Sequence, residues 1–189
     1  MSYRGLTTAE IQILDGIAAH AASRGDRGAV NEAIRLGAND FNWIAVSAAE
    51  GGHGRIVNDM LRRGADNLTW IAVGAASKGH KAIVDNMIER GADDSSPLDL
   101  SWIAHSAAVG GYNRIMEDMI RRGADINMIA SEAAETGHKQ IVNDMIRRGA
   151  DNFNDIAIAA SRGGHEDIVD DMIQRGADTF GWEGMVNRA

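Results

Sequence analysis

Apolar residues recur along this chain in paired blocks. In residues 44–66 the first block is Ile44, Ala45, Ala48 and Ala49, and the second is Ile56, Val57, Met60 and Leu61. The spacing i, i+1, i+4, i+5 places each block on one side of a helix with 3.6 residues per turn. Gly52 and Gly64 follow the two blocks, where a glycine ends a helix. Arg62 and Arg63 fall in the last turn of the second block, where cations complement the negative helix end. The pattern predicts two helices of about ten residues, which are marginal alone. Each must take its stability from its neighbours, so no unit is expected to fold by itself.

The same frame returns at Ile71, Ile103, Ile129 and Ile156, and in a worn form at Ile17. Its closing glycine stands at Gly37, Gly64, Gly91, Gly123, Gly149 and Gly176, in steps of 27, 27, 32, 26 and 27 residues. A fixed period of this size means stacked repeats. The expected fold is all-α, a helical solenoid of six two-helix repeats forming one domain over 1–189. The repeats span about 8–39, 40–66, 67–93, 99–125, 126–151 and 152–178, with a half-repeat at 179–189. The stack would be ~60 Å long if each unit advances ~10 Å.

Both ends look different from the middle. Thr7-Thr8-Ala9-Glu10 reads as a capping box, opening a longer first helix to about Arg24 whose outer face carries Glu10, Gln12 and Asp15. At the other end Trp182 keeps its column, while Glu183, Gly184, Asn187 and Arg188 replace apolar positions. Both read as polar terminal caps. Two columns of residues could cap the first helix of each internal unit: Asn42, Thr69, Ser101, Asn127 and Asn154, or Asp40, Asn67, Asp99, Asp125 and Asn152. With the nearer column as the cap, Phe41, Leu68 and Phe153 would staple onto Val46, Val73 and Ile158. One unit is about five residues too long: D-S-S-P-L-D-L-S after Asp93 reads as a surface loop.

The recurring A-A-x-x-G-H-x-x-I-V-x-x-M-I-x-R-G-A-D resembles the second half of the ankyrin repeat. It is carried by Ala48-Ala49, Gly52-His53, Ile56-Val57, Met60-Leu61 and Gly64-Ala65-Asp66, and again in each later unit, with Tyr112 in place of the histidine in one. The resemblance covers nearly the whole chain. Ankyrin repeats run near 33 residues and begin the first helix with T-P-L-H. Here those positions read Trp43 to Val46, Trp70 to Val73, Trp102 to His105, Met128 to Ser131 and Asp155 to Ile158. The segment that forms the family's β-hairpin finger is about six residues short. The resemblance therefore implies an ankyrin-like stack with its fingers reduced to short loops, and binding on helix faces rather than fingertips. Shortened repeats of this kind look like those encoded by large DNA viruses of protists.

Composition narrows the setting. The chain has 44% hydrophobic and 24% charged residues, the balance of an ordinary soluble domain. No apolar run approaches the ~20 residues that span a bilayer, and the start lacks the apolar core of a secretory signal. The expectation is no membrane and no secretion. There is no cysteine, which fits a reducing compartment: the host cytoplasm, or a virion if the protein is viral. The net charge of −8 argues against nucleic acid, whose phosphates it repels.

The recurring polar columns have bland explanations beside sharper ones. His53, His80, His138 and His165 could form a metal ladder, but parallel side chains in a column do not converge, and no cysteine or i, i+4 His pair supports zinc. They are expected to cap second helices and pack on the adjacent repeat. His105, alone at the T-P-L-H histidine position, is expected to make a structural hydrogen bond. Asp59, Asp118, Asp144 and Asp171 are expected on a solvated face. The arginine stripe Arg63, Arg90, Arg122, Arg148 and Arg175 is expected to pair locally with the aspartate three residues on. Met60, Met87, Met119, Met145 and Met172 sit at core spacing. Trp43, Trp70, Trp102 and Trp182 are either braces between repeats or an exposed strip of the kind that binds partners.

No nucleophile–base pair, phosphate loop or metal set is present, so neither an enzyme nor a cofactor is expected. The expected role is a protein–protein interaction module. Its candidate surface is the face of the first helices: Trp43, Ser47, Glu50, Trp70, Gly74, Ser77, Lys78, Trp102, Ser106, Val109, Glu132 and Glu135. The alternative is a self-assembling structural protein, such as a homodimer or an abundant viral particle component, joined through the tryptophans and the Phe180–Trp182 end.

Overall fold

A computed structural model describes residues 6–92 and 97–178, with the backbone alone at Pro97 and Leu98. Twelve α-helices and no strand are present among the described residues. They are α1 (Thr8–Ser23), α2 (Arg27–Leu36), α3 (Phe41–Glu50), α4 (Gly54–Arg63), α5 (Leu68–Ser77), α6 (Lys81–Met87), α7 (Pro97–Val109), α8 (Asn113–Arg121), α9 (Ile126–Glu135), α10 (Lys139–Arg147), α11 (Phe153–Gly163) and α12 (Glu166–Gln174). The odd-numbered helices touch one another in series, α1 to α3 and on to α11. Each even-numbered helix touches the odd one before it.

The i, i+1, i+4, i+5 blocks account for this packing. Ile44, Ile71, Ile103, Ile129 and Ile156 are fully buried between successive odd helices, with the alanine pairs beside them. Small alanines let these helices approach closely. The methionine column closes the core from the even helices: Met60, Met87, Met119, Met145 and Met172 are at most 1% exposed, as the spacing predicts.

Thr7 caps α1, and the capping box with Glu10 is formed in both directions. Between the two candidate columns for the later helices, the upstream one caps. Asp40 accepts from the Trp43 N–H, Asn67 from Trp70 and Asp125 from Met128. Asn152 precedes α11 without a side-chain cap bond. Asp99 and Ser101 lie inside α7, beyond its first residue. Phe41, Leu68 and Phe153 are consequently the first helical residues, so the condition for their staple, a cap at the downstream column, is not met.

The downstream column ties one unit to the next. The Asn42 amide oxygen accepts from the backbone N–H groups of Asp66 and Asn67, both at 3.0 Å. Asn127 does the same for Asp151 and Asn152. Ser101 accepts from Asp125 N–H at 2.8 Å, and Asn154 from Asp178 N–H at 2.6 Å. In the first unit the role falls to Asp15, which is 6% exposed and accepts from Asn39 and Asp40. Asp15 is thus a clamp rather than part of a polar outer face. Asn127→Ala leaves two loop N–H groups without this acceptor, and a loss of about 1–3 kcal/mol is expected in urea unfolding. Asn127→Asp keeps the acceptor but sets a carboxylate against Asp151, to which the Asn127 amide donates at 3.4 Å, and should recover only part of that loss.

The long connection is shorter than its sequence suggests. Pro97 opens α7, a position where the missing N–H costs nothing. Leu100, read as loop, is buried in the first turns of that helix. Residues 93–96 and the half-repeat 179–189, with Phe180 and Trp182, lie outside the described residues.

Candidate binding face

The tryptophan column sits in the first turns of α3, α5 and α7. Trp43 is 48% exposed and Trp70 is 52% exposed, while Trp102 is half-buried against the core. Trp43 lies over Gly16, the residue that holds the tryptophan position in the first unit. Trp70 and Trp102 form a tilted pair with ring centroids 6.3 Å apart. Both rings line an open groove of about 510 Å³. Val73, Ala92, Asp66 and Asp99 also line it.

The remaining surface candidates divide by burial. Glu50, Lys78 and Val109 are exposed; Ser77, Ser106, Glu132 and Glu135 are half-buried. Ser47 is only 8% exposed, because α3 turns that position toward the packed side, and so it offers no binding surface. Gly74 is buried beneath Val46 and Glu50, where α5 meets α3 closely. Burial, then the adjacent Glu135 carboxylate, raises the Glu132 pKa, with Arg162 opposing both. Arg162 itself pairs with Glu135 at 3.1 Å.

The histidine column is an inter-unit contact. The His53 ring bonds the Ser23 carbonyl at 3.2 Å and the His80 ring bonds that of Glu50 at 3.1 Å. Each ring lies against the turn glycine of the preceding unit; His80 covers Gly52, where a Cβ would lie 2.7 Å from the ring and where the φ of +77° favours glycine. Tyr112 covers Gly79 in the same manner. The expected packing on the adjacent repeat is present, whereas the expected side-chain cap is not. Among the described residues no three of His, Asp and Glu gather as a metal ion would require. His138 departs from the column and bonds Thr136 Oγ1 at 2.8 Å.

His105 does not make the hydrogen bond expected of it. It is 7% exposed, packs edge-on near Trp102, and its Nδ1 is buried without a partner. Burial, helped by the nearby His138, lowers its pKa to about 4.

The acidic and basic columns meet each other. Asp59 is 9% exposed rather than solvated, and it takes both Arg62 and, from the preceding unit, Arg27 at 2.6 Å. Arg148 pairs back to Asp144 and across to Glu117. Arg63, Arg90 and Arg175 reach Asn31, Asn58 and Asn143 of the preceding unit. The arginine stripe therefore finds its partners upstream and not in the aspartate three residues on. The i, i+4 pairs Asp118–Arg122, Asp144–Arg148 and Asp171–Arg175 are local, whereas a 31- or 32-residue separation becomes a contact only once the helices stack.

The chain matches no protein-family model, and no curated protein matches it. No helix of the described residues is long and apolar enough to cross a membrane.

Proposed function

We propose that this chain is an ankyrin-like solenoid of six two-helix units acting as a protein–protein interaction module without catalytic chemistry. The observation that carries the reading is the exposure of Trp43 and Trp70, 48% and 52%, beside a groove in an otherwise well-packed helical array. Indole rings are costly to leave in water, and tryptophan is enriched where partners dock. With short loops in place of fingers, the partner meets the first-helix faces and the tryptophan column. Glu50, Ser77, Lys78, Ser106, Val109, Glu132 and Glu135 differ from unit to unit and supply specificity. The test compares the wild-type chain with Trp43→Ala/Trp70→Ala as baits in quantitative mass spectrometry. A partner retained by the first and lost by the second, with helicity unchanged, supports the reading. Equal recovery by both sinks it.

A second reading, self-assembly, rests on the first helix. Ile13 and Ile17 of α1 are 63% and 51% exposed, although Ile17 occupies the column that is fully buried in the later units. A second copy covering these side chains would form a dimer or a longer assembly. Light scattering on wild type and Ile13→Lys/Ile17→Lys separates the two readings. A concentration-dependent mass that the variant abolishes favours assembly, and a monomer at all concentrations removes it.

A further inference from the structure

The charges of this molecule are sorted by edge. The arginines at the ends of α4, α8 and α10 are tied down by Asp59, Asp118 and Asp144. The opposite situation holds where the odd helices begin. Among the described residues, the loops and first turns that open α3, α5, α7, α9 and α11 carry Asp40, Asp66, Asp99, Asp125, Asp151 and Asp155. All of these but Asp99 are exposed. The exposed tryptophans rise from the same edge. Arg90, Arg122 and Arg148 stand where the preceding helices end, and they reach back to Asn58 and Asn86, to Asp118, and to Glu117 and Asp144.

The groove lined by Trp70 and Trp102 concentrates both features. Asp66 and Asp99 line it together with the two rings, Leu68, Val73 and Ala92. Helix starts oppose a cation, so the balance must be weighed. The beginnings of α5 and α7 contribute about +0.5 charge each. Two carboxylates outweigh them and leave roughly −1, within an overall charge of −8. An anion is thus disfavoured there and a cation favoured. Indole faces attract cations within ~6 Å of the ring centroid. A guanidinium suits this site better than an ammonium, because it stacks flat on a ring while its N–H fork meets a carboxylate.

We propose that this edge binds a basic, arginine-bearing segment of a partner protein, with one guanidinium seated on Trp70 and Trp102 and facing Asp66 and Asp99. The inference rests on the protein-binding reading above and names the chemistry of the partner. Neighbouring basic residues of the segment would follow the aspartates along the edge.

The test is a fluorescence-anisotropy titration of the full chain with a labelled Ser/Gly peptide carrying spaced arginines. Parallel peptides replace arginine by citrulline, lysine or glutamate. Citrulline keeps the shape and removes the charge. The arginine peptide is expected to bind about tenfold tighter than the citrulline one at low salt, and the advantage should shrink as salt screens it. Asp66→Asn/Asp99→Asn should weaken the arginine peptide about tenfold, as should Trp70→Ala. Glu166→Gln/Asp170→Asn on α12 removes the same charge away from the edge and should change binding by less than about twofold. Circular dichroism on each variant confirms folding. Equal affinity for the arginine and citrulline peptides overturns the proposal, as does an equal loss in the two double-charge variants. If Trp43→Ala/Trp70→Ala loses a captured partner while Asp66→Asn/Asp99→Asn keeps it, the interaction reading stands and the basic-segment inference fails.

Discussion

Gly110→Ala should destabilise the protein by about 3 kcal/mol or more, and the neighbouring Gly111→Ala by only about 1–2 kcal/mol. Both residues follow α7, yet each is a glycine for a different reason. A Cβ on Gly110 would lie 2.6 Å from the Ser77 carbonyl of the preceding unit and 2.8 Å from the Tyr112 ring. Backbone cannot yield as a flexible side chain does, so α5 and α7 would have to separate. That separation disturbs the packing of Ile71, Ala75, Ile103 and Ala107, all buried at this junction. Gly111 has open space around it and a φ of +79°, so an alanine there meets only the left-handed backbone penalty. Urea unfolding of both variants checks the order. A Gly111→Ala loss equal to or above that of Gly110→Ala would mean that backbone conformation, rather than the approach of adjacent units, sets the requirement at this turn.

The helices and the core columns were legible because local pattern decides them. The i, i+1, i+4, i+5 blocks and the closing glycines mark both helices of each unit, and the buried isoleucines, alanines and methionines fall where the spacing puts them. What the sequence hid depends on contact between units. Asn42 and Asn127 look like helix caps because asparagine caps well. Only stacking brings a loop N–H from 24 residues downstream within their reach. The same holds for Asp59, whose partner Arg27 is 32 residues away. Asp15 shows the error most plainly. A carboxylate on an end helix reads as solvated, and yet it is buried because it replaces Asn42 in the clamp.

The candidate face was legible in outline. The tryptophan column was visible as a column, but spacing alone left brace and exposed strip undecided. Geometry separates its members, since Trp43 and Trp70 are about half exposed while each also packs on a neighbour, and Trp102 is more sheltered. Ser47 was misplaced for a similar reason. A ten-residue helix touched on several sides leaves few exposed positions, and Ser47 is not among them. The acidic lining of the groove went unnoticed because Asp66 reads as part of the closing G-A-D and Asp99 as part of a loop.

Acidification from pH 6.5 to pH 4 should cost this protein about 3 kcal/mol through His105 alone. In the unfolded chain its imidazole protonates near 6.5; in the folded protein burial beside His138 holds its pKa at about 4. The folded state therefore binds the proton less well than the unfolded state. Stability from this residue is complete above pH 6.5, falls as the pH drops toward 4, and has no further to fall below that. Each pH unit in the window corresponds to about 1.4 kcal/mol. Carboxylates with lowered pKa values behave alike in sign but at lower pH, whereas Glu132, raised by burial, has the opposite sign. Glu117, lowered by its hydrogen bond to Arg148, begins to lose its contribution only as the pH approaches its unfolded value of 4.5. Glu132 also takes up its proton toward the lower end of the interval from 6.5 to 4.5, so the His105 share is the difference between wild type and a variant without the imidazole. His105→Leu removes the titrating group and also removes a buried Nδ1 that has no hydrogen-bond partner. Replacing an unsatisfied buried polar atom by an apolar side chain is close to neutral or stabilising. The variant should match or exceed wild type at pH 7, and its stability should be flatter between pH 6.5 and 4.5. Urea midpoints for both proteins across this interval make the measurement. Parallel slopes would show that His105 is not the residue that couples this fold to pH.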